Sequence, residues 1–249
     1  MLKEFSIKGY KSLLETVLAS EYRFVFFNEH SEHAGERLCL MRHDIDADLE
    51  AAKAFAVAEH ALGAKATYFV MLRSPVYNLF ARHNHRCIEK ILSLGHSLAL
   101  HYDEAFYPDN KKALPELVES EATVLEKAFD CKITTVSFHQ PGPKVLANEI
   151  KIPQYINTYD KQDMEGIFYM SDSNMNWKEK DPWALFGNKA HQKIQILTHP
   201  MWWMGDGEDN TETLWNKALL DNFNRNLDQV IQTEAAFGPP RKIKNIELL

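Results

Sequence analysis

Read from the N-terminus, the chain alternates short apolar runs with longer stretches in which apolar residues recur every three or four positions. A helical pattern covers residues 8–20, followed by the apolar run 23–27 and a polar loop over residues 28–36. From Leu38 the pattern becomes regular. Leu38-Cys39-Leu40-Met41 reads as a buried strand, and residues 49–62 place Leu49, Ala52, Phe55, Ala56 and Leu62 at helical spacing before Gly63, a helix C-cap. Residues 66–71, β-branched and aromatic, predict a second strand. Residues 76–94 predict a helix closed by Gly95, and residues 97–100 a third strand ending in His101-Tyr102-Asp103. A helix over residues 114–129, with Pro115 in its first turn, leads to a fourth strand over residues 133–138 that ends at His139. Residues 150–159, 167–171 and 193–198 predict three more strands, and residues 214–231 a closing helix.

Strand, polar end, helix, strand is the rhythm of parallel βαβ units. The first strand is the most informative, because it runs into His43-Asp44-Ile45-Asp46. Side chains alternate along a strand, so Asp44 and Asp46 share a face and His43 turns away from them. Two carboxylates held side by side repel unless a cation or a shared proton compensates, which points to a metal or a perturbed pKa. The plainer alternative is a pair of solvated loop acids ahead of a helix with Asp48 as its N-cap. Later strands also end in groups capable of chemistry: His101 with Asp103, His139, Asp172 and His199. A parallel barrel gathers the C-terminal ends of its strands on one face. An open doubly wound sheet would gather them in a crevice, but no Gly-rich phosphate loop follows the first strand.

Composition narrows the field. The chain has 249 residues and no Gly-, Pro- or Ser-rich divider, so a single α/β domain over residues 1–249 is the simplest organisation. A net charge of −7 argues against nucleic acid as a partner, since phosphate neutralisation needs clustered Lys and Arg, and only residues 241–244 form a short basic run. Cys39, Cys87 and Cys131 are widely spaced and odd in number, which reads as reduced thiols in a cytoplasmic protein. Charges interrupt the apolar residues over 1–27, unlike a signal peptide, and no apolar stretch reaches the length of a membrane span.

Arg42-His43-Asp44-Ile45-Asp46, Thr67-Tyr68-Phe69, residues 95–103, Ser137-Phe138-His139-Gln140-Pro141 and Leu197-Thr198-His199-Pro200 follow one another over roughly residues 38–205. In order and spacing they resemble the polysaccharide deacetylase superfamily, carbohydrate esterase family four or NodB-type. The His-Asp-x-Asp form is more similar to a divergent branch of bacterial surface-polysaccharide deacetylases. The resemblance implies a distorted (β/α)7 barrel of parallel strands, a divalent metal such as zinc, and hydrolysis of an N-acyl group from an amino sugar. It implies Asp44 as catalytic base and Asp46 as metal ligand, with the exchange of those roles left open, His101 as a second ligand, and His199 as the general acid, tuned by Asp172. The family's second metal-binding histidine is replaced by Ala105. His139, where the family generally carries an Arg that orients the base, is the candidate third ligand, and Asp103 is the runner-up or a substrate contact. Trp202 and Trp203 follow the last strand, where an aromatic face can stack on a sugar ring or pack in the core. The loop 73–78, with Tyr77, is expected to line the pocket.

A cytoplasmic location favours a sugar nucleotide or lipid-linked saccharide over a finished polymer, and the acyl group is acetyl or formyl. Two other readings stay open: a sugar-binding barrel that has lost its metal, and a metal hydrolase of another amide or ester. Oligomeric state is open as well, with the aromatic tail around Phe237 as a surface that can meet a neighbour.

Overall fold

The computed structural model describes residues 4–33, 35–107 and 113–235, so Phe237 and the basic run 241–244 lie outside the described residues. In chain order come α1 (Ile7–Ala19), β1 (Arg23–Phe24), β2 (Leu38–Ile45), α2 (Leu49–Ala61), β3 (Thr67–Val70), α3 (Arg82–Ser93), β4 (Ser97–Asp103) and α4 (Leu114–Phe129). Then follow β5 (Thr135–His139), α5 (Pro143–Leu146), β6 (Ile156–Asn157), β7 (Ile167–Ser171), α6 (Pro182–Asn188), β8 (Lys193–Thr198) and α7 (Thr211–Thr233).

All strand pairs are parallel, along the path β6-β5-β4-β3-β2-β8-β7. β1 pairs with the start of β2, at Leu38 and Cys39, while β3 pairs with its end, from Arg42 to Ile45. Three steps separate β2 from β5, which in a flat sheet amounts to about 14 Å. Yet Asp46 Oδ1, just past the end of β2, lies 3.5 Å from Nδ1 of His139 on β5. The sheet must therefore curl, and the parallel strands form an α/β half-barrel, in keeping with the expected distorted (β/α)7 barrel.

Alternation along β2 sorts its side chains into two layers. Cys39, Met41 and Ile45 join the large core between sheet and helices, whereas Leu38 and Leu40 join Val25, Phe27, Phe69 and Ala99 in a small core inside the barrel. Climbing that inner face, apolar Leu38 and Leu40 give way to Arg42, Asp44 and Asp46. Every residue of β2 is buried, which explains its unbroken apolar beginning. Asp48 caps α2 by accepting the Glu50 N–H at 2.9 Å, so the N-cap reading of Asp48 holds beside the functional one. Gly63 and Gly95 take φ of +71° and +86° where α2 and α3 end, the left-handed turn for which glycine is suited.

The structure departs from the pattern in two places. The helix expected over residues 76–94 begins only at Arg82. Ser74 Oγ accepts the Val76 and Tyr77 N–H groups and Asn78 Oδ1 accepts that of Phe80, so side chains satisfy this backbone as turns. The strand expected over residues 150–159 is reduced to Ile156–Asn157: before it Pro153 lacks an N–H and the Tyr155 N–H turns back to the Ile152 carbonyl at 3.1 Å, and after it Asn157 Oδ1 accepts the Tyr159 N–H at 3.0 Å.

Phe69 closes the small inner core, meeting Phe27 edge-on at 5.7 Å beneath the Arg42 guanidinium. Phe69→Ala is expected to lower stability by about 3–5 kcal/mol, read from urea denaturation.

Candidate metal centre

The ends of β2, β4, β5 and β8 deliver four of the expected side chains to one place. Asp46 Oδ1 lies 3.3 Å from His101 Nε2 and 3.5 Å from His139 Nδ1, and its Oδ2 lies 3.8 Å from His199 Nε2. One donor atom each from Asp46, His101 and His139 falls within 4.8 Å of the others. Asp46 Oδ1 is buried and has no hydrogen-bond partner despite its two imidazole neighbours. Three lone-pair donors of this type, spaced about as they are around a tetrahedral zinc, fit a divalent cation. His101 Nδ1 pairs with Ser137 Oγ at 2.7 Å; an imidazole donating that N–H turns its Nε2 lone pair toward the cluster. Burial pushes the Asp46 carboxyl up, but the neighbouring imidazoles of His101, His139 and His199 outweigh it and hold its pKa well below the usual range.

Asp44 stands one step inside the barrel and has a different partner. Arg42, two residues earlier on the same face, grips it with two hydrogen bonds, Nε to Oδ1 at 2.8 Å and Nη2 to Oδ2 at 2.7 Å. The guanidinium is fully buried; Nη1 donates to Thr158 Oγ1 at 3.0 Å, and Phe69 and Tyr159 present their ring faces at 5.3 Å. Burial raises the Asp44 carboxyl, and Arg42 with His101 more than reverses that, leaving its pKa lowered. In the sequence Arg42 stands only as the first residue of the Arg42-His43-Asp44-Ile45-Asp46 motif, with no partner assigned. The signal was present in strand alternation, which puts residues 42, 44 and 46 on one face.

His199 sits on a third kind of support. Its Nδ1 bonds Asp172 Oδ1 at 2.6 Å, its backbone N–H reaches both oxygens of the same carboxylate at 3.1 Å, and Trp203 Nε1 donates to Asp172 Oδ2 at 2.8 Å. Burial would lower the His199 pKa, but Asp172, assisted by Asp46 and Asp44, raises it to about 9. Trp203, fully buried, thus packs in the core and holds the Asp172 carboxylate. Trp202 instead lines a cleft of about 490 Å³ over the cluster, with Val76, Phe138, Tyr159, Tyr169 and Trp215 among its other walls.

Two expected site residues are placed elsewhere. The Tyr77 hydroxyl donates to the Ile45 carbonyl at 2.6 Å and accepts the Met71 N–H at 3.0 Å, so it braces the backbone while Pro75 and Val76 of its loop reach the cleft. Asp103 turns its Oδ1 to the Ala105 N–H at 3.0 Å and caps the turn that follows β4. His43 and His96 are buried behind the sheet.

No family model and no curated protein matches the sequence. Among solved structures, the chain is similar to a family 4 carbohydrate esterase from Bacillus anthracis at 12% identity and a TM-score of 0.45, over 88% of this chain and 91% of that one. It is similar to a peptidoglycan N-acetylglucosamine deacetylase at 14% identity and a TM-score of 0.44, over 86% and 92% of the two chains. A CE4 family pseudoenzyme from Bacillus anthracis matches at 11% identity and a TM-score of 0.42, over 78% of this chain; the chain spans 63% of that protein, under two thirds of its length. Each likeness is one of fold at low identity.

Arg42→Leu leaves Asp44 buried without its cation and is expected to lower stability by about 3–5 kcal/mol near neutral pH, read by urea denaturation. The lowered pKa of Asp44 stabilises the wild type above the ordinary carboxylate range, a contribution lost on acidification through it. In the variant only His101 and His199 oppose burial, so that pKa rises above its wild-type position and the gap between the two proteins narrows as pH falls toward about 4. A gap independent of pH would exclude the ion pair as its source.

Proposed function

We propose that the protein is a metal-dependent hydrolase that removes an N-acyl group, acetyl or formyl, from an amino sugar. The observation that carries this reading is Asp46 Oδ1, buried and unbonded between two imidazole nitrogens at 3.3 and 3.5 Å. Asp46, His101 and His139 would hold the metal. When bound there, a divalent ion such as zinc supplies Lewis acidity toward water and an acyl oxygen.

The chain's own groups supply the proton transfers. Asp44, ionised and aimed by Arg42, takes a proton from the attacking water as its oxygen bonds to the acyl carbon. His199, held protonated by Asp172, gives its Nε2 proton to the nitrogen as the C–N bond breaks, so the amine leaves neutral. Although His101 Nε2 lies near both acids, 3.6 Å from Asp44 and 3.3 Å from Asp46, Arg42 grips both oxygens of Asp44 alone, which supports Asp44 as base and Asp46 as ligand rather than the reverse. Among the described residues lining the cleft there is no Lys or Arg, which favours a neutral acylated sugar and counts against a phosphoester. The diphosphate of a sugar nucleotide would sit outside this cleft. Trp202, buried in the core yet lining the cleft, and the more exposed Trp215 would meet the sugar ring.

Elemental analysis of purified protein is expected to find about one divalent metal per chain, lost in His101→Ala and His139→Ala. Asp44→Asn and His199→Ala keep the metal and lose at least about a hundredfold in release of free amine from an N-acetylated amino sugar. A wild type that takes up no added zinc or cobalt would move the assignment to a non-catalytic sugar-binding barrel. In the active enzyme loss of the His199 proton sets the alkaline limb of the pH–rate profile, and Asp172→Asn, which removes the main group raising that pKa, shifts the limb downward.

A further inference from the structure

Behind the sheet lies a second charged cluster that the proposed reaction does not use. Glu59 of α2 is completely buried and accepts hydrogen bonds from Tyr10 of α1, from Tyr68 of β3 at 2.5 Å and from His43 of β2 at 2.6 Å. His96 Nδ1 lies 3.5 Å from the same carboxylate, while its Nε2 bonds the Ala56 carbonyl at 3.0 Å. A buried carboxylate costs several kcal/mol in desolvation unless donors replace its water, and here α1, β2 and β3 each supply one.

The cluster is joined to the site by one further bond. His43 Nδ1 pairs with Thr198 Oγ1 at 2.7 Å. His43 and Thr198 are also the last register partners between β2 and β8. The next residues in the two strands are Asp44 and His199, whose side chains turn to the opposite face, into the barrel. The outer side-chain bond therefore fastens the last rung of the ladder directly behind the proposed base and acid.

We infer that Thr198, held through His43 by Glu59, is a positioning residue that sets where the His199 imidazole stands relative to the metal ligand Asp46. This rests on the proposed metal site. Thr198 is none of the proposed metal ligands and does not line the cleft, so its effect on His199 runs through the backbone at the end of the β2·β8 pairing. Removal of the link lets the end of β8 shift against β2, while Asp46, His101 and His139, carried by β2, β4 and β5, keep their mutual spacing.

Thr198→Val is the gentle test, because it keeps shape and volume and removes only the hydroxyl; Glu59→Ala would strand three donors and mix positioning with folding. Each protein is titrated with Co2+, the paramagnetic shift of the His199 ring is followed by NMR, and amine release from an N-acetylated amino sugar is measured. Thr198→Val is expected to bind one Co2+ per chain with an affinity within about twofold of wild type, to move the His199 resonance, and to lose roughly ten- to a hundredfold in kcat with KM little changed. Thr198→Ser, which restores the hydroxyl, recovers both resonance and rate. An unmoved resonance with a wild-type rate overturns the inference, as does parallel loss of Co2+ uptake and rate, which marks a purely structural role. If the wild type binds Co2+ but releases no amine, the proposed reaction fails and the resonance alone decides the positioning role. If the wild type binds no Co2+, both readings fall.

Discussion

Two carboxylates on one face of a buried strand cannot both be ionised unless each has its own compensation, and the centre of this molecule is arranged around that requirement. Asp44 has the buried guanidinium of Arg42, from the same strand and the same face. Asp46 has imidazoles from β4 and β5, which reach it only because the sheet curls. One acid is thus tied to a fixed cation and the other is left facing lone-pair donors. That asymmetry gives two side chains that are identical in the sequence different electrostatic surroundings.

The same strand divides the histidines and charges into an inner and an outer set. His101, His139 and His199 stand at strand ends inside the barrel, whereas His43 and His96 face the helices and serve the buried Glu59. Arg42 and Glu59 are opposite charges, each fully buried, on opposite sides of the sheet. Each is tolerated because its polar atoms are occupied: Arg42 by Asp44, Thr158 and two aromatic faces, Glu59 by two tyrosines and a histidine. Deleting Arg42 leaves Asp44 as a bare charge in the interior, and deleting Glu59 leaves three buried donors unpaired.

Much of the architecture was legible in periodicity. The helix over residues 114–129 and the strands over residues 167–171 and 193–198 appear with the expected limits, since long or cleanly bounded apolar patterns leave the backbone few alternatives. The pattern failed at residues 76–81, where Ser74 and Asn78 take the backbone N–H groups of Val76 and Phe80, and at residues 150–155, where the Tyr155 N–H turns back to the Ile152 carbonyl around Pro153. Side-chain capture of this kind leaves the spacing of apolar residues intact, so spacing alone cannot reveal it.

Within the site, the sequence by itself determined which strands end in acids and histidines and, through alternation, that residues 42, 44 and 46 share a face while His43 does not. It could not tell a ligand from a cap. Asp103 and Tyr77 carry suitable groups at suitable places, yet both spend them on nearby backbone. Only the tertiary structure decided that His139 meets Asp46, that Arg42 belongs to Asp44, and that Trp203 holds Asp172. The reason is physical: these partnerships depend on the curl of the sheet and on competition among donors for each buried carboxylate, and both are properties of the packed chain rather than of any segment.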